Sequence, residues 1–96
     1  MYKMYVLVRR DLSTSQQAVQ AGHAVAELVQ HGSTAGWNKT LIYLGVDNEE
    51  MLEKWHAKLT SKGVECAEFR EPDIGDQLTA IATVGSGKSF SNLKLL

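Results

Sequence analysis

Two short runs carry no charge and no strongly polar side chain: Met4-Tyr5-Val6-Leu7-Val8 and Leu41-Ile42-Tyr43-Leu44-Gly45-Val46. A strand with one wet face alternates apolar and polar residues. These two do not alternate, so both faces of each must be covered. That requires a layer above the sheet and a layer below it, which confines the chain to an α/β sandwich.

The segments between the runs supply the covering layers. Ala18, Ala21, Gly22, Val25 and Val29 recur at helical spacing, with Leu28 beside them. Asp11 or the Ser13–Ser15 segment can cap this helix, because their side-chain oxygens accept from unpaired backbone N–H groups. The helix is expected to end near His31-Gly32. Its apolar face is narrow in the first half, so it is expected to lie close to the sheet there. Gly22 costs about 1 kcal/mol relative to alanine in a helix and is read as serving that approach. Ser33–Lys39 reads as a loop, and Leu41–Val46 as the second strand. Asp47-Asn48-Glu49-Glu50 then gives a cap and first-turn acids, and so starts a second helix. Met51, Leu52, Trp55 and Leu59 form its expected buried stripe, and Gly63 its left-handed end.

Val64–Phe69 reads as a third strand with polar residues interleaved, nearer an edge. Glu71-Pro72-Asp73-Ile74-Gly75-Asp76 is turn-rich, and Leu78–Val84 is the fourth strand. Gly85–Ser91 reads as flexible. Two helical crossovers imply parallel neighbours with right-handed connections. The last link has no helix, so the fourth strand is expected to run antiparallel. The expected fold is three-layer α/β/α, one domain over residues 1–96, with a mixed four-stranded sheet whose last strand is antiparallel.

A core this small favours a homodimer that buries further apolar surface. No apolar run approaches the roughly 20 residues of a membrane span, so no membrane partner is expected. The N-terminus lacks a basic segment followed by an apolar stretch, so a secretory leader is not expected. A single cysteine, Cys66, excludes an internal disulfide and suits the reducing cytoplasm. The net charge of −1 argues against a protein that coats nucleic acid non-specifically. Arg9 and Arg10 still form a candidate basic patch, and Lys88 and Lys94 another.

In open α/β sheets, sites form beyond the carboxyl ends of the parallel strands. That end gathers Arg9, Arg10 and Asp11, then Asp47, then Glu71 and Asp73. The first helix starts there too, and Gln16, Gln20 and His23 share one side of it at spacings of four and three. His23 is the candidate general base near neutral pH. Its blander reading is a half-buried residue packed beside Val19 and Ala26. Asp73 can orient a histidine or a water, but Pro72-Asp73-Ile74-Gly75 is also ordinary turn chemistry. Asp11 reads equally well as a cap. Caps and turns account for the carboxylates, so no metal is expected. His31 and His56 read as exposed helix residues without a role. Gly85-Ser86-Gly87-Lys88-Ser89 lacks the earlier glycine of a phosphate loop, Ala82 standing in its place, and no helix of useful length follows.

These residues resemble the type 2 peptidyl-tRNA hydrolase family. Val8-Arg9-Arg10-Asp11-Leu12 is similar to its Val-Arg-x-Asp-Leu. Ala18-Val19-Gln20-Ala21-Gly22-His23-Ala24 is similar to its Ala-Ala-Gln-x-x-His-Ala. Asp73-Ile74-Gly75 resembles its Asp-x-Gly turn, and Leu93-Lys94-Leu95-Leu96 matches its ending. The resemblance implies hydrolysis of the ester between a peptide and the 3′ end of tRNA, in a dimer, with no metal or organic cofactor. By motif match it makes His23 and Asp73 catalytic, with Asp11, Gln20 and Thr79 supporting, and Arg9 and Arg10 holding tRNA. Two positions depart from the pattern. The segment before the histidine helix is two residues short, with Gln16 where a lysine stands in the family. Gln77 occupies the place of a threonine, and the nearest threonine is Thr79. The alternative expectation is a homologue that binds tRNA or a protein without catalysis. A third is a hydrolase for another small ester or amide in the same pocket.

Overall fold

The structure, a computed structural model, describes all 96 residues, Met1–Leu96. Its elements run β1 (Tyr2–Arg9), α1 (Thr14–His31), β2 (Trp37–Val46), α2 (Glu49–Ser61), β3 (Ala67–Glu71) and β4 (Gln77–Gly85). One four-stranded sheet has the order β2-β1-β4-β3. β1 pairs parallel with β2 and antiparallel with β4, and β4 pairs antiparallel with β3. The mixed three-layer sandwich with an antiparallel last strand is therefore as the apolar runs imply.

Strand order departs from expectation in one respect. The second crossover does not deliver a parallel neighbour, because β4 inserts between β1 and β3 and leaves β2 and β3 at opposite edges. Side-chain patterning explains the choice. Leu78, Thr79, Ala80, Ile81 and Ala82 are all fully buried, as a central strand requires. β3 alternates between half-buried Ala67, Phe69 and Glu71 and exposed Glu68 and Arg70, which suits an edge.

The two faces have separate cores. Met4, Val6, Val8, Ala80 and Ala82 pack under Ala21, Ala24 and Leu28 of α1. Leu7, Leu44, Val46, Leu78 and Ile81 pack against Leu52, Trp55 and Leu59 of α2. Met51 is 39% exposed and lies off the α2 stripe. Alanines at 21 and 24 make the close helix approach. Gly22 does not, since it faces open space.

Both helix starts follow the local chemistry. Ser13, rather than Asp11, caps α1 by accepting from the Gln16 N–H, and Asn48 caps α2 by accepting from the Met51 N–H. Gly63 takes the left-handed conformation just past α2, at φ 76°.

Three segments differ from expectation. β2 begins at Trp37 because the Tyr2 N–H donates to the Gly36 carbonyl and brings Trp37 into register with Tyr2. β3 begins only at Ala67, because the Val64 N–H is still held by the Leu59 carbonyl of α2. The tail after β4 is docked rather than loose. Phe90 is buried against Tyr5 and Trp55, and Leu95 bridges to Leu44 along the outer edge of β2. Trp55 and Phe90 thereby complete the α2-side core.

Candidate active site along the seam of α1 and β3

The carboxyl ends of β1 and β3 and the first turns of α1 lie at one end of the sheet, and the candidate residues divide there into two groups. The first lies on the α2 side. Arg9 is 7% exposed, and all three guanidinium nitrogens are engaged. Nε and Nη2 each donate to an Asp11 oxygen at 2.9 Å. Nη1 donates to Gln77 Oε1 at 2.8 Å and to the Leu78 carbonyl at 3.2 Å. Arg9 is thus an internal brace, and the expectation that it lies on a rim for tRNA is corrected. Gln77, which stands where the resemblance implies a threonine, is spent on the same brace.

The fork between Arg9 and Asp11 shifts both groups. The hydrogen bond from Arg9 holds the Asp11 carboxyl below the usual range, and the bond to Asp11 raises the Arg9 guanidinium. A depressed carboxylate stabilises the fold fully above its unfolded value, and that stability is lost as pH falls through the lower folded value. Asp11→Asn is therefore expected to destabilise the protein by about 2 kcal/mol at pH 7. That is less than the roughly 3–5 kcal/mol of a fully buried pair, because Asp11 is partly exposed and Arg9 keeps Gln77 and Leu78. The gap between wild type and variant should close in strong acid, below the folded value. Urea midpoints at pH 7 and in acid check both statements.

Arg10 behaves differently. It is exposed, crosses the Cα of Gly45, and donates to the Leu95 carbonyl. Any side chain at position 45 would collide with its guanidinium, so Gly45 leaves the space that Arg10 occupies. Of the two arginines, Arg10 is the one that stays at the surface.

The second group lies on the α1 side. Gln20, 1% exposed, accepts from Thr79 Oγ1 at 2.8 Å. Its Nε2 donates to Glu71 Oε1 at 2.8 Å and to Gln16 Oε1 at 3.0 Å. The amide can face only one way, because a carboxylate oxygen accepts and does not donate. Gln16 must then turn its own oxygen toward Gln20, which leaves its NH2 directed elsewhere as a free donor. Thr79 is itself fully buried, at the irregularity where Phe69 pairs with Ala80 and Arg70 with Leu78.

One turn after Gln20, His23 is exposed and its ring lies flat on Phe69, with centroids 4.3 Å apart and planes at 12°. The half-buried state of the blander reading does not describe it, because the residue is exposed. Phe69 fixes the imidazole plane while leaving its nitrogens to solvent. Asp73 sits in a 3-10 turn over Pro72–Ile74, two residues past the Glu71 that Gln20 holds. It is exposed and makes no side-chain hydrogen bond within the chain. The structure therefore brings Gln16, Gln20, Thr79 and His23 to one seam and sets Asp73 on the adjoining turn. Asp11 belongs to the other face.

No enclosed hollow unites His23 with Asp73. The three surface hollows are lined by other residues. The largest, about 230 Å3, continues the same seam past His23 and is lined by Glu27, His31, Glu65 and Cys66 among others. Burial pushes the Cys66 thiol up to about 12, so it is no nucleophile near neutral pH. His56 is only half-exposed and lies 3.8 Å from Glu68 on the α2 side, far from this seam.

Sequence reasoning passes over Phe69, and it names Glu71 only as one of the carboxylates at this end, without its tie to Gln20. Their period-2 spacing puts both on the α1 face of β3, a signal available in the sequence but without force until β3 is placed beside α1.

With this geometry established, comparison with known proteins adds three findings. A sequence model of the family described as peptidyl-tRNA hydrolase PTH2 matches residues 2–87. No curated protein sequence matches significantly. A solved structure of a protein of unknown function from Agrobacterium tumefaciens strain C58 superposes with a TM-score of 0.75 at 15% identity, covering 99% of this chain and 97% of that one. At that identity the likeness is one of fold. No helix is long and apolar enough to cross a membrane.

Proposed function

The chain belongs to the type 2 peptidyl-tRNA hydrolase family, and from that premise we propose that it hydrolyses the ester joining a peptide, or a related acyl group, to the 3′ end of tRNA. The observation that carries the reading is the posture of His23: an imidazole stacked flat on Phe69, exposed, and one turn from buried Gln20, whose amide is bonded to Glu71 and Thr79.

In this reading His23 takes a proton from water as the water attacks the ester carbonyl, then returns it to the departing 3′ oxygen. The oxyanion formed in between needs a donor, and the outward NH2 of Gln16, two turns before His23 on the same flank of α1, is the group assigned to that task. Asp73 orients the water or steadies the charged imidazole. Gln20 and Thr79 hold α1 against the sheet, and Asp11 holds Arg9. Arg10 contributes a cation for the tRNA backbone. The protein acts as a homodimer in the cytoplasm.

A second reading, tRNA binding without catalysis, is favoured by two observations. Gln16 and Gln77 replace the family's lysine and threonine, and no hollow encloses His23 with Asp73. One pair of measurements separates the readings. Hydrolysis predicts release of labelled peptide from peptidyl-tRNA at a rate proportional to protein. Binding alone predicts a mobility shift with deacylated tRNA that weakens as salt rises, with no release of peptide.

A further inference from the structure

We infer that the open α1-side face of β2 holds the single-stranded 3′ end of tRNA. The inference rests on the tRNA reading for its ligand, whereas the open face itself stands on the packing.

The apolar run Leu41–Val46 calls for cover on both sides, and the chain supplies full cover on only one. Residues paired across β1 and β2 share a face, so Leu41, Tyr43 and Gly45 lie on the α1 side with their partners Met4, Val6 and Val8. α1 packs chiefly on β4, β3 and β1, and β2 lies beyond it. Leu41 is left 41% exposed. Gln20 and His23 meet Glu71 and Phe69 of β3, so the opposite flank of α1 looks toward β2. That flank carries Ala18, Gly22, Val25 and Val29 and no charge. Gly22 has open space there, and Val29 is 52% exposed. The result is an apolar shelf with α1 as its wall.

Cations stand at both ends of the shelf. At one end Lys39 Nζ lies 5.2 Å from the centre of the Trp37 ring, and Trp37 pairs with the exposed Tyr2. At the other end the Arg10 guanidinium lies over Gly45 and donates to the Leu95 carbonyl. Lys94 joins it there, because its carbonyl accepts from the Gly45 N–H. Leu93 packs into the α2-side core and Leu95 lies opposite Leu44, so Lys94 between them falls on the α1 side. The two ends are about 20 Å apart, the rise from Tyr2 to Val8 along β1. None of the three cations is in an ion pair. Asp11 is held by Arg9, and Asp47, just past β2, pairs with none of them.

The opposite edge of the sheet has the reverse charge. Glu65, Glu68, Glu71, Asp73 and Asp76 lie on or beside β3, and Arg70 there is bound by Glu53 and Glu68. A polyanion is therefore drawn to the β2 side and repelled from the β3 side. A second copy docked across a twofold would set Lys39, Arg10 and Lys94 against their own equivalents, which like charges oppose. Spaced cations, an exposed tyrosine and an apolar floor suit an unpaired strand, whose bases present apolar faces. The Arg10 carbonyl accepts from Gln17 Nε2 at 3.2 Å, so this end of the shelf adjoins the first turn of α1, with Gln16 and His23 around its far flank.

Binding of deacylated tRNA, followed by fluorescence anisotropy over a salt series, tests the shelf, with thermal melts to confirm that each variant folds. Lys39→Gln/Lys94→Gln is expected to weaken binding about 10-fold at low salt and to lower the slope of log Kd against log salt by about 1.4–1.8, at roughly 0.7–0.9 for each phosphate contact. Tyr2→Ala should weaken binding about 5- to 150-fold, the range for one lost stacked base. It should have no effect on tRNA stripped of its unpaired 3′ end. Lys58→Gln/Lys62→Gln, an equal change of charge on α2, should weaken binding less than the shelf pair. Wild-type Kd and salt slope in Lys39→Gln/Lys94→Gln overturn the proposal, as does a wild type that fails to bind at low salt. An equal response of stripped tRNA to Tyr2→Ala overturns the 3′ end as the occupant. A wild-type dimer that sediments as a monomer after Leu41→Glu also overturns it, since a second copy then covers the face. Weakened tRNA binding in the shelf variants, with a wild type that releases no peptide from peptidyl-tRNA, supports the shelf and overturns the hydrolase reading. Peptide release with an unchanged KM in the shelf variants supports the hydrolase reading and overturns the shelf.

Discussion

Replacing His23 with alanine is expected to lower kcat for peptidyl-tRNA hydrolysis by about 10^2- to 10^4-fold, the range for loss of a positioned general base. The fold should survive the change. The ring is exposed, and what it contributes to stability is its stacking on Phe69, about 0.5–1.5 kcal/mol. A large catalytic loss with a small shift in the urea midpoint would separate chemistry from structure. KM should change little, because the imidazole binds the moving proton rather than the tRNA. Initial rates with labelled peptidyl-tRNA, measured beside the wild type, decide the matter. Equal rates would remove His23 from the mechanism and leave the family fold carrying some other use.

Removal of the buried amide should produce the largest structural effect outside the apolar core. Gln20→Leu keeps roughly the volume of the side chain but deletes its donors and its acceptor. Glu71 then loses the donor to Oε1, and Thr79 keeps only the Phe69 carbonyl at 3.2 Å. Each stranded polar group costs about 1–3 kcal/mol, with the half-exposed Glu71 at the low end because water can reach it. The expected loss is about 2–3 kcal/mol. Gln20→Ala should cost more, since it adds an unfilled space beneath α1. For a chain of this size, 1 kcal/mol moves Tm by about 4–8 °C, so a depression of about 10–20 °C is expected from Gln20→Leu. Thermal melts followed by circular dichroism measure it directly. A loss below about 0.5 kcal/mol would mean that the strut holds nothing, and the ordering of Gln16 and Glu71 would have to come from elsewhere.

Much of the architecture is legible because its causes are local. Unalternating apolar runs require cover on both faces, and Met4–Val8 is covered on both. Asn48 and the acids after it start a helix wherever they stand, because a side-chain oxygen and the helix dipole act over one turn. The motif around His23 is readable for the same reason: spacings of three and four put residues on one flank of a helix whatever lies opposite.

Less local features mislead, each for a physical cause. Gly22 suggests a close contact because a helix face is visible in sequence but its rotation over the sheet is not. Arg9 and Arg10 look alike as a pair of cations. Arg9 is the last residue of β1 and points to the α2 face, where it became an internal brace, whereas Arg10 opens the turn beyond the strand and stayed at the surface. The tail reads as flexible because its glycines and serines are plain, whereas the single Phe90 that anchors it depends on a space left by Tyr5 and Trp55.

By itself the sequence determined the layers, the element types, the caps and the histidine's helix, since each is fixed by forces acting within a few residues. Tertiary structure alone decided that β4 would part β1 from β3, and that Gln20 would meet Glu71 and Thr79, 51 and 59 residues further along the chain. Those meetings depend on which buried surfaces and hydrogen bonds are satisfied together once the whole sandwich closes, and no short window of residues carries that sum.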